Sequence, residues 1–248
     1  MKLTEYRLFN KPLASINSGK NLICTLNAHC YNLAKTDSVY ENALLNSDVL
    51  LYDGISVVWA TLWLTGQKLK KVAGADLFFY EMERMQKIAE EKGKRGRVFF
   101  LGSTEETLEK IKAQSAMEYN TVQVETYSPP YKPEFTNEDN VAMLRAINSF
   151  RPDVLFIGMT APKQEKWAYQ HYNELKVGHI CCIGAVFDFY AGTVKRAPQW
   201  MINLGLEWFY RLIREPRRMW KRYLIGNTKF IYYILKEKIE LSSCRNNK

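Results

Sequence analysis

Two short polar clusters in the first quarter of the chain directly follow apolar runs that are typical of buried strands. Thr25 and Asn27 close the run 21–27, and Asp53, followed by Gly54, closes the run 48–53. A carboxylate at the end of a strand could act as a general base on a substrate hydroxyl. Asn, Thr and Asp also cap helix N-termini routinely, because their side-chain oxygens accept hydrogen bonds from free backbone N–H groups. The spacing leaves both roles open for Asp53 and favours helix capping for Thr25 and Asn27.

Two later turns combine a glycine with polar residues that suit a nucleotide. Gly158 would let the backbone approach a ligand, and Lys163, Gln164 and Glu165 follow it at the start of a predicted helix, where N–H groups attract phosphate. Asp188 follows the apolar run 179–185 and could accept hydrogen bonds from ribose hydroxyls or a base edge. A structural cap is the alternative for Asp188. The glycine turn is weakly specific, because the phosphate-binding P-loop pattern is absent.

Several motifs that would indicate other chemistry are missing. The sequence contains no Asp-x-Asp pair of the kind that holds a metal-bound sugar nucleotide, and its three histidines have no metal-ligand spacing. Gly-x-Ser-x-Gly and Gly-x-Gly-x-x-Gly are also absent, which disfavours a hydrolase or a dehydrogenase. The sequence therefore offers no recognisable metal or cofactor site.

The elements that must position these residues alternate between strands and helices. Short apolar runs at 21–27, 48–53, 97–102, 121–127, 153–158 and 179–185 predict strands, and helical spacing separates most of them. This alternation predicts an α/β fold, a mostly parallel, Rossmann-like sheet with helices on both faces. Ligands of such sheets bind at the carboxyl ends of the strands. Ser103 and Glu106 have the spacing of a capping box at one predicted helix start.

The C-terminal segment carries the whole charge imbalance of the chain. Residues 195–248 hold 13 Lys and Arg against 4 Glu, while the net charge of the complete protein is +9. We predict an α/β catalytic domain at 1–194 and a basic, aromatic, helical appendage at 195–248. Basic side chains interleaved with aromatic ones fit an interfacial helix on anionic lipid. A solvated basic face or a nucleic-acid contact would also explain the positive charge. The composition also predicts reduced, buried cysteines and no membrane-spanning segment.

The order and spacing of several motifs resemble the WecG/TagA/CpsF glycosyltransferases. The resemblance rests on TLN (25–27), DG (53–54), VAGADL (72–77), FLGS (100–103), GMTAPKQEKW (158–167), GAVFDFYAG (184–192), KRAPQW (195–200) and LEWFYRLIREPRR (206–218). It covers nearly the whole chain. Lys70 and Lys71 stand where the family commonly has Arg, and Lys lacks the bidentate fork of Arg.

The resemblance implies an inverting, metal-independent transfer from a UDP-sugar, often UDP-N-acetylmannosamine, to a polyprenyl-diphosphate-linked sugar. It places the catalytic base at Asp53, beside Thr25 and Asn27. It matches Gln164 and Glu165 to the nucleotide-sugar motif of the family, Asp188 to a position near the nucleotide, and Lys71 to the basic position before VAGADL. Independently of the resemblance, we predict that Gly158 and Lys163 bind substrate at a helix start and that Arg214, Arg217 and Arg218 bind the diphosphate of the lipid or of UDP.

The implied location is the inner face of the bacterial cytoplasmic membrane, to which the appendage holds a cytoplasmic, peripheral enzyme. We expect no nucleic-acid partner, and a homo-oligomer is possible. The alternative is a non-catalytic nucleotide-sugar or lipid-binding protein on the same fold, in which Asp53 would only cap a helix.

Overall fold

The six apolar runs fold as six parallel strands of one sheet in the computed structural model, which describes residues 1–246 and leaves the side chains of residues 92 and 244–246 undescribed. The strands are β1 (Asn21–Leu26), β2 (Val49–Tyr52), β3 (Arg97–Gly102), β4 (Gln123–Tyr127), β5 (Val154–Gly158) and β6 (His179–Cys182). Their order in the sheet is β2-β1-β6-β5-β3-β4. All carboxyl ends therefore meet at one edge, and the prediction of a Rossmann-like α/β fold is confirmed.

Helices cover both faces of this sheet. Up to β6 they are α1 (Ala28–Ala34), α2 (Ser38–Leu45), α3 (Ile55–Thr65), α4 (Gly74–Lys92), α5 (Glu105–Glu118), α6 (Asn137–Phe150) and α7 (Lys163–Gln170). After β6 come α8 (Val186–Tyr190), α9 (Gln199–Asn203), α10 (Glu207–Arg214), α11 (Pro216–Trp220), a π-helical turn (Lys221–Ile225) and α12 (Gly226–Asn246). Strand side chains alternate between two hydrophobic clusters, one on each face, as burial on both sides of a parallel sheet requires.

The predicted start of α5 is wrong by one residue. Thr104 caps the helix, and its Oγ1 accepts a hydrogen bond from the Thr107 N–H at 3.3 Å. Ser103 instead has a φ of 57°, in the left-handed region. The chain turns sharply at Ser103 after leaving β3, so the capping role passes to the next hydroxyl.

The segment after residue 194 crosses the carboxyl edge and then returns to the body of the protein. On α12, Phe230 and Ile234 are buried in the hydrophobic cluster that also contains Tyr31 of α1. Glu237 is buried as well, and its carboxylate accepts hydrogen bonds from the Leu3 and Thr4 backbone N–H groups at 2.7 and 3.0 Å. Helix α12 therefore packs as part of the core, and the division near residue 195 stays a prediction.

Four cysteines, Cys24, Cys30, Cys181 and Cys182, are buried free thiols, whereas the side chain of Cys244 lies outside the described set. Within residues 1–246, no helix combines the length and the apolar character that a membrane span requires.

Candidate functional site

Asp53 lies at the carboxyl edge of the sheet, and it does not cap the following helix. Its backbone N–H donates to the Leu26 carbonyl at 2.9 Å, which extends the β1–β2 ladder to the end of the strand. The N-cap of α3 is Gly54, with a φ of 134° and no side-chain capping bond. The sharp turn at Gly54 thus starts the helix without using the Asp53 carboxylate. Helix capping, which the sequence left open for Asp53, is excluded.

Thr25, in the neighbouring strand β1, and Asn27, the residue directly after that strand, lie beside Asp53. Thr25 is buried and pairs in register with Leu51, so Thr25 and Asp53 belong to the same face of the sheet. Asn27 caps α1, since its Oδ1 accepts a hydrogen bond from the Cys30 N–H at 3.0 Å. The capping role that its sequence position favoured is confirmed for Asn27, and its amide N–H₂ is not used by this bond.

Charged side chains from three parts of the chain surround Asp53. Burial raises the pKa of the Asp53 carboxyl, and the positive charges of Lys71 and Arg222 oppose that rise. The negative charges of Glu207 and Asp76 raise the pKa further. A carboxyl with a raised pKa is a stronger proton acceptor once ionised, which suits a general base.

Helix α10 brings the C-terminal segment across the site. Glu207 in its first turn forms ion pairs with Lys71 at 3.3 Å and with Arg196 at 3.4 Å. Arg211 follows four residues later, and its guanidinium lies 5.6 Å from the centre of the Phe189 ring on α8. Residues four apart lie one turn apart on the same side of a helix. Helix α10 therefore spans the edge from Asp53 and Lys71 to Asp188.

The Asp188 carboxyl faces the arginines of this segment. Burial raises the pKa of Asp188, and the positive charges of Arg218 and Arg211 oppose it. Arg218 is exposed and also pairs with Glu215 at 2.9 Å. The structure thus brings two of the predicted substrate residues, Asp188 and Arg218, to one end of α10.

Gln164 joins two loops at the same edge. Its Oε1 accepts hydrogen bonds from the backbone N–H groups of Met159 at 3.2 Å and Gly184 at 3.1 Å. Its Nε2 donates to the Glu165 Oε1 at 2.8 Å. These bonds fix the orientation of the amide and tie the loop after β5 to the loop after β6.

Glu165 lies beneath the edge rather than on it. Its side chain is 1% exposed, and its Oε2 has no hydrogen-bond partner among the described residues. Burial raises the pKa of Glu165 to about 7, although the hydrogen bond from Gln164 acts in the opposite direction. The contacts of Glu165 identify it as the group that orients Gln164.

Gly158 and Lys163 have structural partners at their positions. A Cβ on Gly158 would lie 2.5 Å from the Phe187 ring, so packing alone demands glycine there. The Lys163 ammonium lies 3.6 Å from the centre of the Phe135 ring and donates to the Lys132 carbonyl. It is therefore turned towards the loop before α6. Ligand binding by either residue stays a prediction.

The arginines nearest the site include Arg218 from the predicted set, together with Arg211 and Arg222, which were not predicted. Arg214 and Arg217 are exposed, whereas Arg211 and Arg222 are half-buried, and their Nε atoms have no hydrogen-bond partner within the described chain. Arg211, Arg218 and Arg222 are spaced by seven and four residues, as residues on one side of a helix are. This spacing could have distinguished them in the sequence from Arg214 and Arg217. A half-buried guanidinium whose Nε donor is unused suits phosphate.

The arrangement as a whole pairs one carboxylate with several cations at the mouth of a parallel sheet. Asp53 could accept a proton from a substrate hydroxyl, and Lys71, Arg211, Arg218 and Arg222 could hold a negatively charged group beside it. Such a site suits group transfer from an anionic donor.

Comparison with known proteins agrees with this chemistry. Residues 2–243 match the model of the glycosyl transferase WecG/TagA/CpsF family. This chain belongs to the WecG/TagA/CpsF family. It is thus a glycosyltransferase, and the family predicted from the sequence motifs is confirmed.

Curated relatives share most of its length. An N-acetylglucosaminyldiphosphoundecaprenol N-acetyl-beta-D-mannosaminyltransferase of Bacillus subtilis is 32% identical over 216 residues, 87% of this chain and 79% of the relative. A protein of the same name from Staphylococcus aureus is 29% identical over 94% of this chain and 86% of its own length. Another from Bacillus spizizenii is 30% identical over 79% of this chain and 72% of its own length. These names indicate that the relatives act on a sugar linked to a polyprenyl diphosphate.

Proposed function

We propose that this WecG/TagA/CpsF enzyme transfers N-acetylmannosamine, or a related hexose derivative, from a UDP-sugar to a polyprenyl-diphosphate-linked N-acetylglucosamine. The transfer inverts the anomeric centre and needs no metal ion, and the product feeds the synthesis of a bacterial surface polymer. The observation that carries the proposal is the grouping of Asp53 with Lys71 and Arg222 at the strand ends. The names of the relatives supply the sugar and the acceptor.

The reaction is a single displacement. Asp53 takes the proton of the acceptor hydroxyl while that oxygen forms a bond to the anomeric carbon. The bond between the anomeric carbon and the diphosphate oxygen breaks, and UDP leaves with the electron pair. Attack from the side opposite the leaving group inverts the anomeric configuration.

Positive side chains take the place of a metal ion in this proposal. The diphosphate of UDP needs charge stabilisation as it departs, and fixed cations supply it without reorganisation. The positive charges of Arg211 and Arg218 lie close enough to Asp188 to oppose the rise of its pKa that burial causes. The Arg211 Nε–H has no hydrogen-bond acceptor in the described structure, so it is free to donate to a phosphate oxygen. Asp188 is the proposed contact for the ribose or the base of UDP.

The lipid-linked acceptor gives a reason for a membrane location. We infer that the enzyme works at the cytoplasmic surface of the membrane, held there by its basic C-terminal segment.

A transfer assay in EDTA, with several UDP-sugars and a short-chain polyprenyl-diphosphate N-acetylglucosamine, tests the proposal. Asp53→Asn should lower turnover by about 10²- to 10⁴-fold, the range of general-base catalysis, while UDP binding measured by calorimetry is retained. Near-normal turnover by Asp53→Asn would remove Asp53 from its role as the base. Activity that returns only on adding a divalent cation would overturn the metal-independent mechanism.

A further inference from the structure

Two neighbouring helices, α3 and α12, expose large apolar side chains. On α3, Trp59 is 63% exposed, Leu62 40% and Trp63 48%. On α12, Ile231 is 56% exposed and Leu235 47%. Single exposed apolar residues are ordinary, but adjoining ones that include two tryptophans indicate a surface that meets something other than water.

Lys238 joins the two sets into one surface. Its Nζ donates to the Trp63 carbonyl at 2.7 Å and lies 5.4 Å from the centre of the Trp63 ring. Ile231 and Leu235 precede Lys238 by seven and three residues, so they lie on the side of α12 that adjoins α3. We name the surface formed by Trp59, Leu62, Trp63, Ile231 and Leu235 the α3–α12 face.

The two stretches of sequence that contain these five residues carry basic side chains and no acids. Residues 54–75 contain three lysines and no Asp or Glu, and residues 216–236 contain six Lys and Arg and no Asp or Glu. The first acid of α12, Glu237, is buried against the Leu3 and Thr4 N–H groups. Lys238 is the cation that the structure places against the apolar face, and no salt bridge joins it to a carboxylate among the described residues.

We propose that the α3–α12 face inserts into the headgroup region of an anionic lipid bilayer. Tryptophan favours this region because its ring is apolar and its N–H is polar, and lysine can extend from apolar surface to the phosphates. A contact between two copies of this chain through this face would bring their Lys238 ammonium groups together, which favours an anionic lipid as the occupant. The proposal deepens the proposed function, since it assigns part of the membrane contact to α3 as well as to the C-terminal segment.

The position of α3 links the membrane contact to the active site. The helix begins at Ile55, two residues after Asp53, and Trp59 lies about 6 Å further along the helix axis at 1.5 Å per residue. Insertion of Trp59 would hold the base near the bilayer surface, where the diphosphate of a polyprenyl acceptor emerges.

Vesicle flotation without donor or acceptor tests the proposal. The probes are vesicles of phosphatidylcholine alone and vesicles of phosphatidylcholine with phosphatidylglycerol. The test variant is Trp59→Gln with Trp63→Gln. The control is Met117→Gln with Val141→Gln, which removes two side chains that are 79% and 55% exposed on α5 and α6. Urea unfolding of all three proteins checks that each one folds.

We expect wild type and control to bind the phosphatidylglycerol vesicles equally, and the tryptophan variant to bind at least about tenfold more weakly, because each tryptophan buries a large apolar area. Unchanged binding by the tryptophan variant, or no binding by the wild type, would overturn the proposal. A wild-type dimer that the tryptophan substitutions dissociate, with vesicle binding unchanged, would instead assign the face to a second copy. Transfer activity plays no part in this assay, so a failed transferase proposal would not affect its outcome.

Discussion

Replacing Glu165 by glutamine should make the stability of this glycosyltransferase less dependent on pH. The Glu165 carboxyl is buried, and burial raises its pKa from 4.5 to about 7. The folded protein therefore keeps this proton to a higher pH than the unfolded chain does. As pH rises from the pKa of Glu165 in the unfolded chain towards its pKa in the folded protein, ionisation of Glu165 favours the unfolded chain, and stability is lost.

The size of this effect follows from the two pKa values. A rise from 4.5 to about 7 corresponds to about 3 kcal/mol of unfolding free energy, which is present below the lower value and lost above the higher one. Glutamine has nearly the same shape and does not titrate, and its Oε1 can still accept the hydrogen bond from Gln164. Relative to wild type, Glu165→Gln should gain about 2–3 kcal/mol of stability between pH 5 and pH 8.

Urea unfolding at several pH values between 5 and 8 measures this difference. Glu109→Gln, on the exposed side of α5, is the matched control for the loss of one carboxylate. A Glu165→Gln difference that stays flat across the range would refute the reasoning, because Glu165 would then titrate alike in the folded and unfolded chains. Transfer activity of the variant at pH 8 shows in addition whether Gln164 keeps its orientation.

Two further predictions concern packing and the base. Gly158→Ala should lower the unfolding free energy by about 1–3 kcal/mol in thermal or urea unfolding, because its Cβ would overlap the Phe187 ring. Arg222→Gln removes a charge that lowers the pKa of Asp53, so the acid limb of the kcat/KM profile should move to higher pH. Glu207→Gln removes a negative charge that raises the pKa of Asp53, so the acid limb should move to lower pH. If both variants shift the acid limb in the same direction, Asp53 is not the base that titrates in this profile.

Local sequence pattern was sufficient to predict the fold of this enzyme. Buried strands of a parallel sheet are short and almost wholly apolar, so runs such as 97–102 and 153–158 are recognised without tertiary information. The polar residues that close two of these runs, Asn27 and Asp53, had to lie at one edge of the sheet, because every parallel strand ends there. The motifs of the family were likewise readable along the chain.

Only the tertiary structure decided which charges meet at that edge. Glu207 pairs with Lys71 across 136 positions of the chain, and sequence spacing carries no information about a contact of that range. The course of α10 also selects Arg211 as a neighbour of Asp188 and leaves Arg214 in solvent, because one helix presents different side chains on opposite sides. The roles of Gln164 and Glu165 diverge for a similar reason: successive side chains of a helix point in different directions, and here one reaches the loops at the edge while the other is enclosed by the core.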